Sequence, residues 1–152
     1  MKKFLALILV LALVMSSMVG CGGAKETEEP AAAGEPELTV GFIYIGPATD
    51  GGFSEAQDRG RQAMVDSFEG RVATLTAENV SEEKQAVESA AINMIDQGAT
   101  VIVGTSYGYM DTLEALATQY PDVKFLHFSG NKMNDTNFGN YFGAMEEARY
   151  LS

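Results

Sequence analysis

The sequence is poor in the residues on which many metal and catalytic sites depend. Its 152 residues include one cysteine, Cys21, and one histidine, His127. A lone cysteine cannot form an internal disulfide, and one histidine with one cysteine is too few for a His/Cys metal site or for Cys–His catalysis. His127 falls inside an apolar run and is interpreted as an ordinary, partly buried side chain. No metal and no cofactor are therefore expected.

Basic residues and nucleotide-binding motifs are also scarce. Ten Lys and Arg stand against 21 Asp and Glu, a formal net charge of −11, so the basic footprint that nucleic acid requires is missing. No G-x-G-x-x-G follows the first apolar run, and neither a P-loop nor a G-x-S-x-G elbow occurs. Asp50 and Asp111 could form an acid–base pair, but both fall at predicted helix starts, where negative charge is favourable without catalysis. The chain is predicted not to be an enzyme.

The first residues have the pattern of an export signal. Lys2 and Lys3 precede an uncharged stretch from Phe4 to Met15, which is long enough for a signal peptide and short for a bilayer span. After five further residues comes Cys21, between Gly20 and Gly22, which resembles a bacterial lipobox; an incidental thiol is the alternative. Residues 1–20 are therefore predicted to be a lipoprotein signal peptide. A lipidated Cys21 would hold the protein on the extracytoplasmic face of the cell membrane.

The next segment has the composition of a tether. Residues 21–36 contain Ala, Glu, Pro and Gly but no bulky apolar side chain, so they cannot bury enough surface to fold. The folded part is predicted at 37–152. Because the sequence stops within an apparent helix that starts at Met145, we expect one lobe of a longer product; a single domain with a frayed end is the alternative.

Apolar runs alternate with helical periodicity through the folded part. The pattern predicts strands at 38–45, 72–75, 100–104, 123–128 and 140–142. This alternation predicts an α/β fold with a doubly wound parallel sheet. Ligands of such sheets bind at the carboxyl ends of the strands, here in loops 46–52, 76–81, 104–111 and 128–136.

Helices are predicted between these strands. The first covers 53–68, with an apolar stripe at 53, 56, 60, 63, 64 and 68 and with Asp58, Arg59 and Arg61 on the opposite side. The second begins with Ser81 as its cap and ends at Gly98. The third begins in a capping box at 111–114 and ends before Pro121.

Two of the carboxyl-end loops carry groups suited to recognition. Asp50-Gly51-Gly52-Phe53 combines a carboxylate, flexible backbone and an aromatic ring that could stack on a flat ligand; alternatively Asp50 is a cap and Phe53 a core residue. The loop 105–111, with Ser106, Gly108 and Asp111, is dense in hydroxyls, phenols and amides. Its alternative is a polar turn capped by Asp111.

At these residues the sequence resembles the basic membrane protein family of PnrA-like substrate-binding lipoproteins. The resemblance covers nearly all of residues 38–151. It rests on VGFIYIGP at 40–47, DGGF at 50–53 with Gly60-Arg61, TSYGYMD at 105–111, YPDVKF at 120–125, and Tyr141-Phe142 followed by EARYL at 147–151.

The resemblance implies a type I periplasmic-binding fold, in which two α/β lobes clamp a ligand, with this chain as the first lobe and the second missing. It implies a receptor that binds a purine nucleoside, or a similar flat hydroxylated molecule, and delivers it to an ABC permease. By similarity Phe53 stacks on the ligand ring and Asp50 hydrogen-bonds the ligand. The backbone of Gly108 and Tyr109, together with Asp111, would line the same cleft.

Other functions are compatible with the same fold class. A surface sensor would pass its ligand state to a signalling partner, and a small extracytoplasmic hydrolase or flavodoxin-like redox protein would turn over a substrate. Permease genes beside this one would favour transport, whereas a kinase gene would favour sensing.

Overall fold

The structure of the protein is a computed structural model that describes residues 35–142. Within that range strands and helices alternate, and a 3-10 turn, Tyr107–Tyr109, precedes the last helix. The strands are β1 Leu38–Ile43, β2 Val72–Ala77, β3 Val101–Gly104, β4 Lys124–Phe128 and β5 Phe138–Tyr141; the helices are α1 Phe53–Ser67, α2 Lys84–Asp96 and α3 Met110–Gln119. Among the described helices, none is both long and apolar enough to cross a membrane.

The five described strands form one parallel sheet in the order β2-β1-β3-β4-β5. Each connection carries the chain back to the starting edge, and in three of the four a helix makes that return. The predicted α/β fold with a doubly wound parallel sheet is confirmed.

Helices cover both faces of this sheet. On one face α2 and α3 pack an apolar core, to which Val87, Met94 and Leu113 contribute, against Ile43 and Phe125. On the other face Met64 of α1 packs against a smaller cluster that contains Val40, Phe42, Tyr44 and Val103. Strands buried on both faces need apolar residues throughout, which explains the continuous runs in β1 and β3.

The sequence analysis predicted the wrong buried side for α1. Asp58, predicted on the exposed side, is 6% exposed, whereas Phe68 of the predicted apolar stripe is 41% exposed. The reason is a polar network. Asp58 accepts hydrogen bonds from the Tyr44 hydroxyl at 2.9 Å, from Arg61 at 2.6 Å and from Gln62 at 2.6 Å, so its charge is compensated where it is buried.

The predicted helix starts also need correction. α2 begins after Glu83 with no side-chain cap, so Ser81 does not cap it. α3 begins after Tyr109, so Asp111 lies in its first turn and the capping box does not form. The predicted end of α2 is confirmed: Gly98 has φ +94°, and the N–H of Ala99 donates to the Met94 carbonyl at 3.0 Å.

Several strand limits shift by a few residues. β1 ends at Ile43 instead of 45, β2 extends to Ala77, and β5 begins at Phe138 instead of 140. Three sequence predictions concern residues outside the described range: the signal peptide at 1–20, lipidation of Cys21 with most of the tether, and the helix from Met145.

Candidate functional site

The two loops predicted to form the site leave the sheet at one edge. Ile43 at the end of β1 pairs with Gly104 at the end of β3, and Gly104 pairs with His127 of β4. Because the strands are parallel, the residues that follow them emerge side by side. The loop that leads to residues 50–53 and the loop that leads to residues 105–109 therefore both start from the carboxyl edge of the sheet.

In the first loop Asp50 acts as a cap for α1. Its carboxylate accepts the backbone N–H groups of Gly52 at 2.7 Å, Ser54 at 2.9 Å and Glu55 at 3.1 Å. These hydrogen bonds, that of Glu55 first, hold the pKa of Asp50 below its usual range. The side chain remains exposed to solvent, so it can also accept a bond from a ligand hydroxyl.

Phe53, the first residue of α1, is half-way between core and solvent, with 38% of its surface exposed. Its ring contacts Phe128 edge-on, with centroids 5.3 Å apart, and Phe128 in turn contacts Tyr141 at 5.3 Å and Phe142 at 5.7 Å. We call these four residues the aromatic cluster. Phe128 is buried and backs Phe53, so the free part of the Phe53 ring is held in a defined position at the rim.

The aromatic cluster is tied to α1 by one polar contact. The hydroxyl of Tyr141 donates to the Gln57 side-chain oxygen at 2.9 Å. Burial raises the pKa of Tyr141, which keeps the phenol protonated as a donor. Phe142 is the most exposed residue of the cluster, with 68% of its surface accessible.

The second loop is held by residues that follow β2. The carboxylate of Glu82 accepts hydrogen bonds from the Ser106 hydroxyl at 2.6 Å and from the Gly108 N–H at 3.1 Å. The side chain of Tyr109 is wholly buried, and its hydroxyl donates to the Val80 carbonyl at 2.5 Å. The phenol of Tyr109 thus faces the core, and only its backbone remains at the loop.

Asp111 lies at the exposed start of α3. Its carboxylate is 2.9 Å from the ammonium of Lys132, which also lies 2.7 Å from Glu114. The pKa of Lys132 is raised by its hydrogen bonds to Glu114 and then to Asp111. This ion pair joins the loop after β4 to α3, and it leaves Asp111 exposed beside Gly108.

His127 is more buried than the sequence indicated, with no exposed surface. Its Nε2 lies 2.7 Å from the Lys132 carbonyl, and its ring stacks on Phe138 at 4.8 Å. The imidazole therefore braces the loop after β4. Over residues 35–142 no three side chains of His, Cys, Asp or Glu converge as a metal site would require.

Two parts of this site escaped the sequence analysis. Glu82 directly follows Ser81, the predicted cap of the second helix, and nothing in its spacing indicates a contact with residues 24 and 26 positions away. Phe128 and Phe142 were assigned to strands without a link to Phe53. An aromatic residue at the end of each of two strands is the one signal that could have indicated the cluster.

Parallel α/β sheets bind small ligands at the carboxyl ends of their strands, and this sheet carries an exposed aromatic ring and carboxylates there. Over residues 37–152 the chain matches the family described as ABC transporter substrate-binding protein, PnrA-like, and it belongs to that family. Proteins of this family bind substrates outside the cytoplasm and are not enzymes. This agrees with the prediction from the sequence that the chain is not an enzyme.

Individual relatives support this assignment. A purine-binding protein of Brucella abortus is 38% identical over 143 residues, which cover 94% of this chain and 38% of that protein. A protein of Haloferax volcanii, to which glucose binding in an ABC transporter has been attributed, is 33% identical over 86% of this chain and 32% of its own. The chain thus spans well under half the length of both relatives.

The fold also matches a solved structure. An ABC transporter solute-binding protein of Conexibacter woesei superimposes with a TM-score of 0.58 at 18% identity. The match covers 75% of this chain and 38% of that protein. At this identity the likeness supports the fold alone.

Proposed function

We propose that this protein is a lipid-anchored, extracytoplasmic substrate-binding protein of an ABC importer, and that its ligand is a purine nucleoside or a similar flat, hydroxylated molecule. The observation that carries the proposal is Phe53, which stands partly exposed at the rim with Phe128 fixed behind it. A rigid aromatic face is what a planar ring needs as a stacking partner. Family membership and the purine-binding relative support the same ligand class.

The polar groups of the rim suit the rest of such a ligand. Asp50, before α1, and Asp111, in the first turn of α3, are exposed carboxylates, and ionised carboxylates accept hydrogen bonds from hydroxyl groups. The backbone of Ser106, Gly108 and Tyr109 belongs to the segment directly before Asp111 and is assigned to the same site. These residues form one wall of the site, and the second wall is assigned to another lobe that closes over the ligand.

Binding by one wall alone is expected to be weak. A ligand held on one face keeps half of its surface in water and loses the polar partners of the other face. The binding experiment therefore uses the two-lobed protein that contains this chain. Lobe closure delivers the ligand to the permease without covalent chemistry.

The test compares two phenylalanines at opposite ends of α1. Phe53→Ala is expected to weaken purine nucleoside binding by about 1–3 kcal/mol, which is the typical loss of one base–aromatic stack. The control is Phe68→Ala, because Phe68 is similarly exposed, at 41%, but packs beside Arg71 away from the rim. Titration calorimetry with inosine, guanosine, adenosine and glucose measures both variants. Equal affinity in Phe53→Ala and wild type would remove Phe53 from the site.

The glucose arm of this titration decides between ligand classes. Sugars also stack on aromatic rings, and the Haloferax relative is associated with glucose. Binding of glucose without binding of any nucleoside would contradict the purine proposal while leaving the receptor function intact.

The anchor is tested separately at Cys21. Two or more acyl chains on this residue would hold the protein on the membrane without a spanning helix. Cys21→Ser is expected to move the protein from the membrane fraction to the soluble fraction, while Ser17→Ala leaves it at the membrane. Membrane retention of Cys21→Ser would defeat the anchor proposal.

A further inference from the structure

Glu82 connects two loops of the rim that are far apart in sequence. It lies between β2 and α2, yet its Oε1 accepts hydrogen bonds from the Ser106 hydroxyl at 2.6 Å and the Gly108 N–H at 3.1 Å. Bonds to a charged acceptor are stronger than those between neutral groups. Two donors of the loop after β3 are thus bound by a single carboxylate.

A side chain at Gly108 would collide with the carboxylate of Glu82. A Cβ at this position would lie 2.2 Å from Cδ of Glu82 and 2.4 Å from its Oε1. Because real Cβ atoms essentially never approach other atoms so closely, a side chain here would displace the Glu82 carboxylate from its position against the loop.

A second bond fixes the same loop from the same direction. The buried Tyr109 hydroxyl donates to the Val80 carbonyl, two residues before Glu82. The 3-10 turn at 107–109 is consequently held at both ends by the segment after β2. Between these attachments Tyr107 is left 59% exposed, and Asp111 follows directly.

We infer that Glu82 is a positioning residue of the ligand site, which holds the loop after β3 in the conformation that presents Tyr107 and Asp111 to the ligand. This inference rests on the proposed function. It assigns Ser106 and the Gly108 amide to the framework of the loop, since both are already donating to Glu82. Ligand contacts of this loop then come from the exposed groups around them.

The binding test uses three variants of the two-lobed protein, with inosine and guanosine as probes. Glu82→Ala is expected to weaken binding at least tenfold, because the loop loses both bonds. Glu82→Gln keeps an acceptor oxygen and should restore affinity to within about threefold of wild type. Glu83→Ala, which removes the same charge from the adjacent exposed residue, should bind like wild type. Melting temperatures of all variants are recorded to detect unfolding.

A spectroscopic readout follows the loop without any ligand. In Glu82→Ala the Gly108 amide resonance should move from its wild-type position because the amide loses its acceptor, whereas in Glu83→Ala it should stay there. A Gly108 amide resonance that stays at its wild-type position in Glu82→Ala would overturn the inference. So would equal nucleoside affinity in Glu82→Ala and wild type. Wild-type protein that binds neither nucleoside would instead contradict the proposed function, and thereby the inference that depends on it.

Discussion

Two buried tyrosines support the rim, and they do so in different ways. Tyr44, just after β1, and Tyr109, after β3, have no exposed surface, and each hydroxyl donates one hydrogen bond. Tyr44 donates to the ionised Asp58 within the same β1–α1 unit. Tyr109 donates to the neutral backbone carbonyl of Val80, which belongs to a different part of the chain.

The Tyr44 bond depends on a charged partner, whereas the Tyr109 bond depends on where the backbone of Val80 lies. Burial first, and then Asp58, raises the pKa of Tyr44, while burial first, and then Glu82, raises that of Tyr109. Under the first loop the negative charge of Asp58 is compensated by Arg61, so that support depends on ionisation. Under the second loop the Tyr109 bond joins two neutral groups, so this support depends on the position of the segment after β2.

The largest effect is expected from Asp58→Ala. It leaves the Tyr44 hydroxyl buried without its acceptor and Arg61 without its ion partner, which should cost about 3 kcal/mol of unfolding free energy. Urea denaturation measures the loss, with Asp66→Ala on the exposed side of α1 as the control. A loss below about 1 kcal/mol would show that the network behaves as a surface ion pair.

Tyr44→Phe should have an intermediate effect of about 2 kcal/mol, because a hydrogen bond to a charged acceptor is lost while Arg61 and Gln62 still bind Asp58. The same denaturation experiment measures it. If Tyr44→Phe were as costly as Asp58→Ala, the tyrosine rather than the ion pair would dominate the support of the first loop.

Tyr109→Phe should cost less, about 1 kcal/mol, since the lost bond joins two neutral groups. Tyr107→Phe is the matched control, because the Tyr107 side chain is 59% exposed and should change stability little. Loss in Tyr109→Phe equal to that in Tyr44→Phe would remove the distinction between the two supports.

The smallest expected effect is on how the free energy of unfolding depends on pH, and it is specific to Asp58. The pKa of Asp58 is held below its usual range, first by its hydrogen bond from Arg61, so its stabilisation is complete above about pH 4 and is lost as pH falls through the lower folded value. Asp58→Asn should reduce the loss of stability at low pH, so that only the contribution of Asp50 remains.

At high pH the two loops should behave alike. Both tyrosine pKa values are raised, so their contribution is complete below about pH 10 and falls as pH rises further. Denaturation curves at several pH values test both limbs. An acid limb unchanged in Asp58→Asn would exclude Asp58 as its source.

The first loop could be predicted from sequence because its bonds are local. Asp50 caps a helix that begins three residues later, and the preference of carboxylates for helix starts holds within one turn. The doubly wound sheet was predictable for a similar reason. Each buried strand and each helical stripe can be recognised within about a dozen residues.

The rest depends on contacts between distant residues. The pairing of Glu82 with Gly108 and the aromatic cluster around Phe128 arise only when strands are placed side by side. The buried side of α1 was misjudged for another reason. Because Asp58 is charged, the sequence pattern predicts that it is exposed. Its burial becomes favourable only through Tyr44 and Arg61, which the fold brings next to it.

The place of β1 inside the sheet, between β2 and β3, has a consequence for how the protein folds. Leu38 pairs with Val72 and Val40 with Val101, so the strand made first waits for partners that the ribosome adds much later. Closing such long loops costs entropy before any pairing is gained, which is typical of slow folding. Until β3 emerges, the nascent chain carries an apolar strand with one edge unpaired, to which a holding chaperone could bind.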